Sequence, residues 1–363
     1  MHVGGRRSAT SAVPFPVEVG PAGPGADLET GLMGPKRYDV VGVGNAIVDV
    51  ISTVEDEFLD RHGLARGAMT LVDAERAVRL YEAMPAGIEA SGGSAANTMA
   101  GVASFGGRVA YIGKVRDDQL GEVFRHDLRA IGVAYDVPLA PAGPPTARCL
   151  IVVTPDAERT MNTCLGISSL LEPDDVDEEL CASAAIVYCE GYLWDVEGAK
   201  QAIRKAMRAT RAAGGKVALT LSDGFCVDRH RAEFLDLARH EVDLLFANRA
   251  ELCSLYEVDD VGEAVARVRR HCEMAVVTLS EQGSLVVTPE ACHEVAAWSA
   301  GAVVDTTGAG DQYAAGFLAG LARGEPLERC GRLGSMAAGE VIAHLGPRPR
   351  TSLGELATAH GLA

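Results

Sequence analysis

The chain reads as an α/β protein: a mostly parallel sheet with helices on both faces, carrying a small β lid. Three observations predict this. From residue 170 onward, short apolar stretches of strand length alternate with longer stretches of helix length, the rhythm of a parallel sheet with helical crossovers. The composition, 41 glycines and 48% hydrophobic residues with only 5% aromatics, suits a packed α/β chain with many tight turns. One segment departs from the rhythm. Thr146 to Thr154 and Arg159 to Cys164 alternate like an antiparallel hairpin around Pro155-Asp156-Ala157, and such an appendage reads as a lid.

The bulk properties narrow the functions open to it. A length of 363 residues allows one large or two ordinary domains. A formal net charge of -17 offers no basic field for nucleic acid or a membrane surface, so neither is an expected partner. An acidic chain that binds a polyphosphate must use local donors and a cation such as Mg²⁺. The nine cysteines are odd in number and none has C-x-x-C spacing, which suggests neither a disulfide framework nor zinc and points to a reducing cytoplasm. The histidines show no close ligand spacing, and no apolar run reaches membrane-spanning length.

Residues 1–36 are rich in Gly, Pro, Ala and Ser without periodicity and are expected to be a disordered extension; residues 37–363 are expected to form a single domain. Arg6-Arg7 is followed by no apolar segment, so no export signal is expected, and Met33 stands as an alternative start. Asp39 to Gly44 reads as a buried strand ending in Asn45 and Asp49. Gly42-x-Gly44 lacks the third glycine of a dinucleotide fingerprint, because Ile47 stands there. Polar residues at the end of a buried strand either cap it or face a ligand, as in open α/β sheets.

Glu55 to His62 reads as helix, Ala68 to Val72 as extended, and Ala74 to Met84 as an amphipathic helix. Gly92 and Gly93 would let a ligand approach the backbone, Ser94 can cap the helix that runs to Phe105, and Asn97 one turn in can point back over the glycines. A plain glycine turn before a helix is the alternative. Arg108 to Ile112 is a predicted strand and Asp117 to Ala130 a helix. Later strands are expected at 184–189, 216–221, 243–247, 274–279, 284–288 and 293–298. Later helices are expected at about 195–212, 228–239, 249–256, 261–272, 309–323, 327–344 and 352–359. Asn248 with Glu251 three residues on is, taken alone, a helix N-cap with an acidic capping partner.

The chemistry concentrates in Asp305-Thr306-Thr307-Gly308-Ala309-Gly310-Asp311, which opens a small, apolar helix. Small residues at 308–310 leave N–H groups uncovered at a positive helix end, a seat for an anion. A carboxylate beside an anion seat is electrostatically odd unless Asp311 must take a proton from a hydroxyl that attacks phosphorus. The alternative is an ordinary helix start with glycines and an acidic first turn. No Lys-Ser or Lys-Thr follows, so this is no P-loop.

Asn45 and Asp49 after the first strand, Gly92-Gly93-Ser94 with Asn97, and the Gly308-Ala309-Gly310-Asp311 element together resemble the PfkB (ribokinase-like) carbohydrate kinase family, over about residues 38–350. Within it the chain is most similar to adenosine kinases, through Gly44-Asn45, Asp49, Phe58-Leu59-Asp60 and Gly92 to Asn97. The resemblance implies a three-layer α/β/α fold with lid segments at about 51–72 and 137–165, and an enzyme using ATP and Mg²⁺. It implies Asp311 as catalytic base and the backbone of Gly308, Ala309 and Gly310 as anion hole. Asp49 would accept from two ribose hydroxyls, helped by Asn45, Gly92, Gly93 and Asn97, with Tyr192 and Phe225 flanking a base. Asn248 and Glu251 would order Mg²⁺ and phosphate through water. Thr278, Ser280 and the turn to Gly283 match the nucleotide loop, Arg159 would reach phosphate from the lid, and Asp305 matches a monovalent-cation position (K⁺) of some relatives. Ser280 and Arg116 stand where the family often has glycine. The expected acceptor is adenosine; a free pentose or hexose is the alternative, and a non-catalytic sugar- or nucleoside-binding regulator the alternative of another class. A homodimer through the lid is an assembly open to such a chain.

Overall fold

Val40, Val41 and Val43 decide the layering of this molecule. Side chains alternate across a strand, so Val40 enters one core and Val41 and Val43 enter another on the opposite face of the same strand. The computed structural model describes residues 36–156, 158–299 and 301–362, all within the unit Leu32–Ala363. The extension expected at residues 1–36 lies outside the described residues except for Lys36, whose Nζ donates to the carbonyls of Ala182 and Ala213.

The first half runs β1 Tyr38–Val43, β2 Ile47–Thr53, α1 Asp56–His62, β3 Met69–Leu71, α2 Ala74–Ala83, β4 Ile88–Gly92, α3 Ser94–Ser104, β5 Val109–Ile112, α4 Gln119–Ala130, β6 Val133–Ala134, β7 Ala147–Val153 and β8 Arg159–Cys164. The second half runs α5 Glu178–Ala182, β9 Ala184–Glu190, α6 Glu197–Ala212, β10 Lys216–Thr220, α7 Gly224–His240, β11 Leu244–Asn248, α8 Arg249–Tyr256, α9 Val261–Val268, β12 Met274–Thr278, β13 Ser284–Val287, β14 Cys292–Val295, α10 Ala309–Ala322, α11 Leu327–Val341 and α12 Leu353–Ala359.

A nine-stranded sheet has the order β14-β13-β12-β11-β10-β9-β1-β5-β6, parallel except for the antiparallel β12-β13-β14 edge. One core packs residues of α3, α4, α10 and α11 such as Met99, Phe124, Phe317 and Met336 on one face; the other packs Trp194, Ile203, Phe234 and Leu252 on the opposite face. This is the three-layer arrangement the strand–helix rhythm predicts. From β1 the chain builds outward through β5 and β6, then returns to β9 on the other side and builds through β10, β11 and β12. The strand order reverses between β1 and β9, and ligands of open α/β sheets bind beyond the carboxyl ends of strands at such a point.

The second sheet is five-stranded, β3-β8-β7-β2-β4, with β7 and β8 forming the expected antiparallel hairpin. Two features of it differ from the sequence reading. Asp49 lies within β2, paired with Ala90 of β4 and Cys149 of β7, rather than at the end of the first buried strand. β4 at Ile88–Gly92 was not anticipated, because Glu89, Ala90, Ser91 and Gly92 carry no apolar alternation. The pleat puts Asp49 on the face of Ile47 and Ile51, while Val50 turns to the core under α2 with Ala77, Leu80 and Leu150. Helix α7 also begins four residues before the predicted 228, since Asp223 caps it by accepting from Cys226 N.

Candidate active site

Asn45 and Glu190 meet where the strand order reverses. Glu190 ends β9, is 1% exposed, and accepts from Asn45 N at 2.7 Å, Asn45 Nδ2 at 3.2 Å and Ala95 N at 2.8 Å. Burial pushes its carboxyl up to about 7 against the pull of those donors. Ser168 Oγ donates to Asn45 Oδ1 at 2.9 Å. The Asn45 amide is therefore held between Glu190 and Ser168.

Gly92 and Gly93 are required by space. A Cβ on Gly92 would lie 2.4 Å from Asp49 Oδ2, and one on Gly93 would lie 2.2 Å from the Asn45 carbonyl. Gly93 also has φ 94° as the N-cap of α3. Ser94, expected to be that cap, is instead the first helical residue, and its Oγ donates to Asp311 Oδ1 at 2.6 Å. Asn97 Nδ2 donates to Asp311 Oδ2 at 3.2 Å. Two helices thus meet at their N-terminal turns over one carboxylate, both with the positive dipole end toward it.

Asp311 is half-buried in the first turn of α10. Burial pushes its carboxyl above the ordinary carboxylate range, while Ser94, Asn97 and the charge of Arg348 pull it down. Gly308 caps α10 at φ 77°, and a Cβ there would lie 2.6 Å from Pro347 Cα. Gly310 differs: a Cβ on it meets nothing within 4 Å. The backbone constraint lies at Gly308, and the space over Gly310 is open. Asp49 is held up to about 6, chiefly by burial and also by Asp311, with Arg348 and Arg159 opposing.

Arg159 reaches from β8 of the lid sheet to this element. Its Nη1 donates to Thr307 Oγ1 at 2.8 Å and lies 3.0 Å from Asp305 Oδ2. Asp305 also accepts from Thr307 N and Gly346 N. A monovalent cation at Asp305 would have to share the carboxylate with Arg159.

Thr278, Ser280 and Gly283 line one cavity of about 550 Å³ together with Trp298, Ala309, Gly310 and Tyr313. The expected nucleotide loop and the anion seat therefore open into the same space. Asn248 and Glu251 stand apart from that lining and form a complete capping box on α8: Asn248 N and Nδ2 donate to the two carboxylate oxygens, and Glu251 N donates to Asn248 Oδ1. Burial, with Asp223 adding repulsion, pushes the Glu251 carboxyl to about 7. A buried carboxylate without a cation partner suits a hydrated Mg²⁺, which takes few protein ligands and keeps its water. Among the described residues no cluster of three or more His, Cys, Asp or Glu forms a metal cage.

The two aromatics differ. Tyr192 is half-buried, with its hydroxyl donating to the Ser222 carbonyl at 3.2 Å. Phe225 is 77% exposed in the first turn of α7. Ser94, Glu190, Thr307 and Arg348 are site residues that sequence reasoning did not assign. Glu190 was findable as the one acid closing an apolar strand; Arg348, in Pro347-Arg348-Pro349, carries no local signal.

Comparison with known proteins places this geometry in a family. Residues 78–352 match the model of the pfkB family carbohydrate kinases. A probable sugar kinase from Rhizobium etli CFN 42 is similar in structure, with 52% identity, a TM-score of 0.85, and coverage of 90% of this chain and all of that one. The adenosine kinase from Sinorhizobium meliloti is similar at 53% identity and a TM-score of 0.83, over 89% of this chain and 99% of that one. An adenosine kinase from Saccharomyces cerevisiae is 27% identical over 332 residues, 85% of this chain and 96% of that protein. The expectation of an enzyme is borne out over the non-catalytic alternative, for the chain belongs to the pfkB family of carbohydrate kinases and is an ATP-dependent phosphotransferase with an alcohol group as acceptor.

Proposed function

We propose that this kinase transfers the γ-phosphoryl of ATP to the hydroxymethyl group of a ribose-containing acceptor, adenosine first among them, giving AMP and ADP. The observation that carries the reading is Asp311: a carboxylate held by Ser94 and Asn97 at the start of α10, beside an open anion seat and within electrostatic reach of Asp49. Asp311 takes the proton of the attacking hydroxyl. The hydroxyl oxygen forms a bond to the γ-phosphorus as the bond to the bridging oxygen of ADP breaks. Backbone N–H groups of Gly308, Ala309 and Gly310 with the helix end hold the transferring charge, and Arg159 adds its guanidinium from the lid.

Asp49, ionised, accepts from two acceptor hydroxyls where Gly92 and Gly93 clear the backbone away. ATP lies in the cavity lined by Thr278, Ser280 and Gly283. Glu251, with Asn248, would hold Mg²⁺, which when bound would supply charge neutralisation of the phosphates. The β lid excludes water, which would otherwise compete as acceptor. Residues 37–363 act as one kinase domain. Among the described residues no helix is long and apolar enough to cross a membrane.

Similarity to the adenosine kinase of S. meliloti supports a nucleoside. A second reading, a free pentose or hexose, is favoured by the similarity to the probable sugar kinase from R. etli and by the 77% exposure of the Phe225 ring. Assaying ATP-dependent phosphorylation of a panel of nucleosides and free sugars tests both. Preference for adenosine supports the first; preference for a free sugar replaces it with the second.

A further inference from the structure

Arg348 is a buried cation at this site that the reaction scheme above leaves without a task. It sits between α11 and α12 and reaches back to the strand and helix that form the acceptor seat. Its Nη1 donates to Ser91 Oγ at 2.7 Å and its Nε donates to Asn97 Oδ1 at 3.1 Å. The remaining Nη2 is buried with no hydrogen-bond partner among the described residues. Burial works against its charge, and Asp49, Asp127, Tyr111 and Asp311 favour it. An incompletely paired buried guanidinium is costly, so its place calls for a reason beyond packing.

The chemistry of the two contacts supplies one. A guanidinium has only donors, and an Asn amide has one accepting oxygen and one donating nitrogen. Because Arg348 Nε can only donate, it obliges Asn97 to turn its oxygen toward Arg348. The Asn97 nitrogen then faces the other way, where Nδ2 donates to Asp311 Oδ2. Reversing the amide would set a donor against a donor and an oxygen against a carboxylate. Gln312 Nε2, donating to the Asn97 carbonyl, fixes the backbone at the same residue.

Resting on the kinase reading above, we propose that Arg348 is a positioning residue for phosphoryl transfer: it sets the orientation of the Asn97 amide, and through it the carboxylate of Asp311. It is not a catalytic residue, since it acts through Asn97. Its positive charge also offsets the two acceptor-site carboxylates, Asp49 and Asp311, which would otherwise repel within one half-buried seat.

The test is a double-mutant cycle on the full chain, using Arg348→Met, Asn97→Ala and the pair, with the best acceptor of the nucleoside and sugar panel. Each single change is expected to lower kcat by about ten- to a hundred-fold, the worth of one hydrogen bond to a charged group. The pair is expected to fall no further than the worse single change. Arg348→Lys, a donor without the planar fork, is expected to recover part of kcat over Arg348→Met. ATP affinity, followed by the fluorescence of Trp298 in the nucleotide cavity, is expected to stay within about threefold, which also shows that each variant is folded. Losses that multiply in the pair, or a loss of ATP affinity matching the loss of kcat, overturn the inference while leaving the kinase reading intact. Failure of the wild type to phosphorylate any acceptor overturns that reading, and the inference with it.

Discussion

Ser94 Oγ donates to Asp311 Oδ1 at 2.6 Å, joining the first residue of α3 to the first turn of α10 across 217 positions of sequence. The hydroxyl and the Asn97 amide leave Asp311 directed, half-buried and with its proton affinity raised by burial. Such a carboxylate suits a base that must accept a proton during phosphoryl transfer and then release it.

Asp311→Asn keeps the shape and both hydrogen-bonding partners but cannot accept the proton. Turnover is expected to fall by roughly 10²–10⁴ with ATP and acceptor binding little changed. Steady-state kinetics with isothermal titration of both ligands checks this. Near-normal turnover would remove Asp311 from its role.

Acceptor use should depend on pH through Asp49. Its carboxyl is raised from 3.8 to about 6, so the ionised form that accepts from hydroxyls is present above about pH 6 and is lost as pH falls through that value. kcat/KM for the acceptor is expected to decline about tenfold per pH unit below 6. A profile flat between pH 5 and 7 would exclude Asp49 as an ionised acceptor ligand. Asp49→Ala is expected to raise acceptor KM strongly, since charge-assisted hydrogen bonds are worth about 1.5–3 kcal/mol each.

The two glycines of the anion seat should separate. Gly308→Ala forces a left-handed residue, costing about 1–2 kcal/mol, and meets the Pro347 backbone; both stability and turnover are expected to fall. Gly310→Ala enters open space, so the melting temperature is expected to hold while phosphoryl transfer slows. Thermal unfolding beside kinetics distinguishes them, and identical behaviour would refute the division.

Arg159→Met removes the guanidinium from the buried Asp305 carboxylate. Breaking a buried pair costs about 3–5 kcal/mol, with the lower figure expected because Thr307 N and Gly346 N still donate to Asp305. Turnover is expected to fall with the loss of a positive charge near the phosphoryl. Chemical denaturation together with kcat measures both, and an unchanged kcat would confine Arg159 to a structural role.

Phe225→Ala tests the nucleoside reading. The ring is 77% exposed, so stability should not change. If it stacks on a base, the loss for adenosine is on the order of 1 kcal/mol beyond lost apolar contact, with no loss for ribose or fructose. Equal losses for all acceptors would favour the free-sugar reading.

Much of this molecule was legible in its residues because the relevant physics is local. Strand and helix periods announced the layered sheet. Gly308-Ala309-Gly310-Asp311 announced a helix start with uncovered N–H groups, since small residues and a helix terminus need no distant partner. The Thr146–Cys164 hairpin announced itself by alternation. What the sequence left open depended on distant contacts. Nothing in Glu190 or Arg348 says that one folds under Asn45 and the other over Asn97, because those contacts span 145 and 251 residues. Asn248 and Glu251 satisfied a local capping rule in full, and only the buried surroundings of Glu251 raise its carboxyl toward neutrality. The sequence by itself determined the fold class and the chemical seat, through short-range patterning. The tertiary structure decided which polar groups are used up holding one another and which stay poised for a substrate, because hydrogen-bond partners and desolvation are set by what the fold brings near.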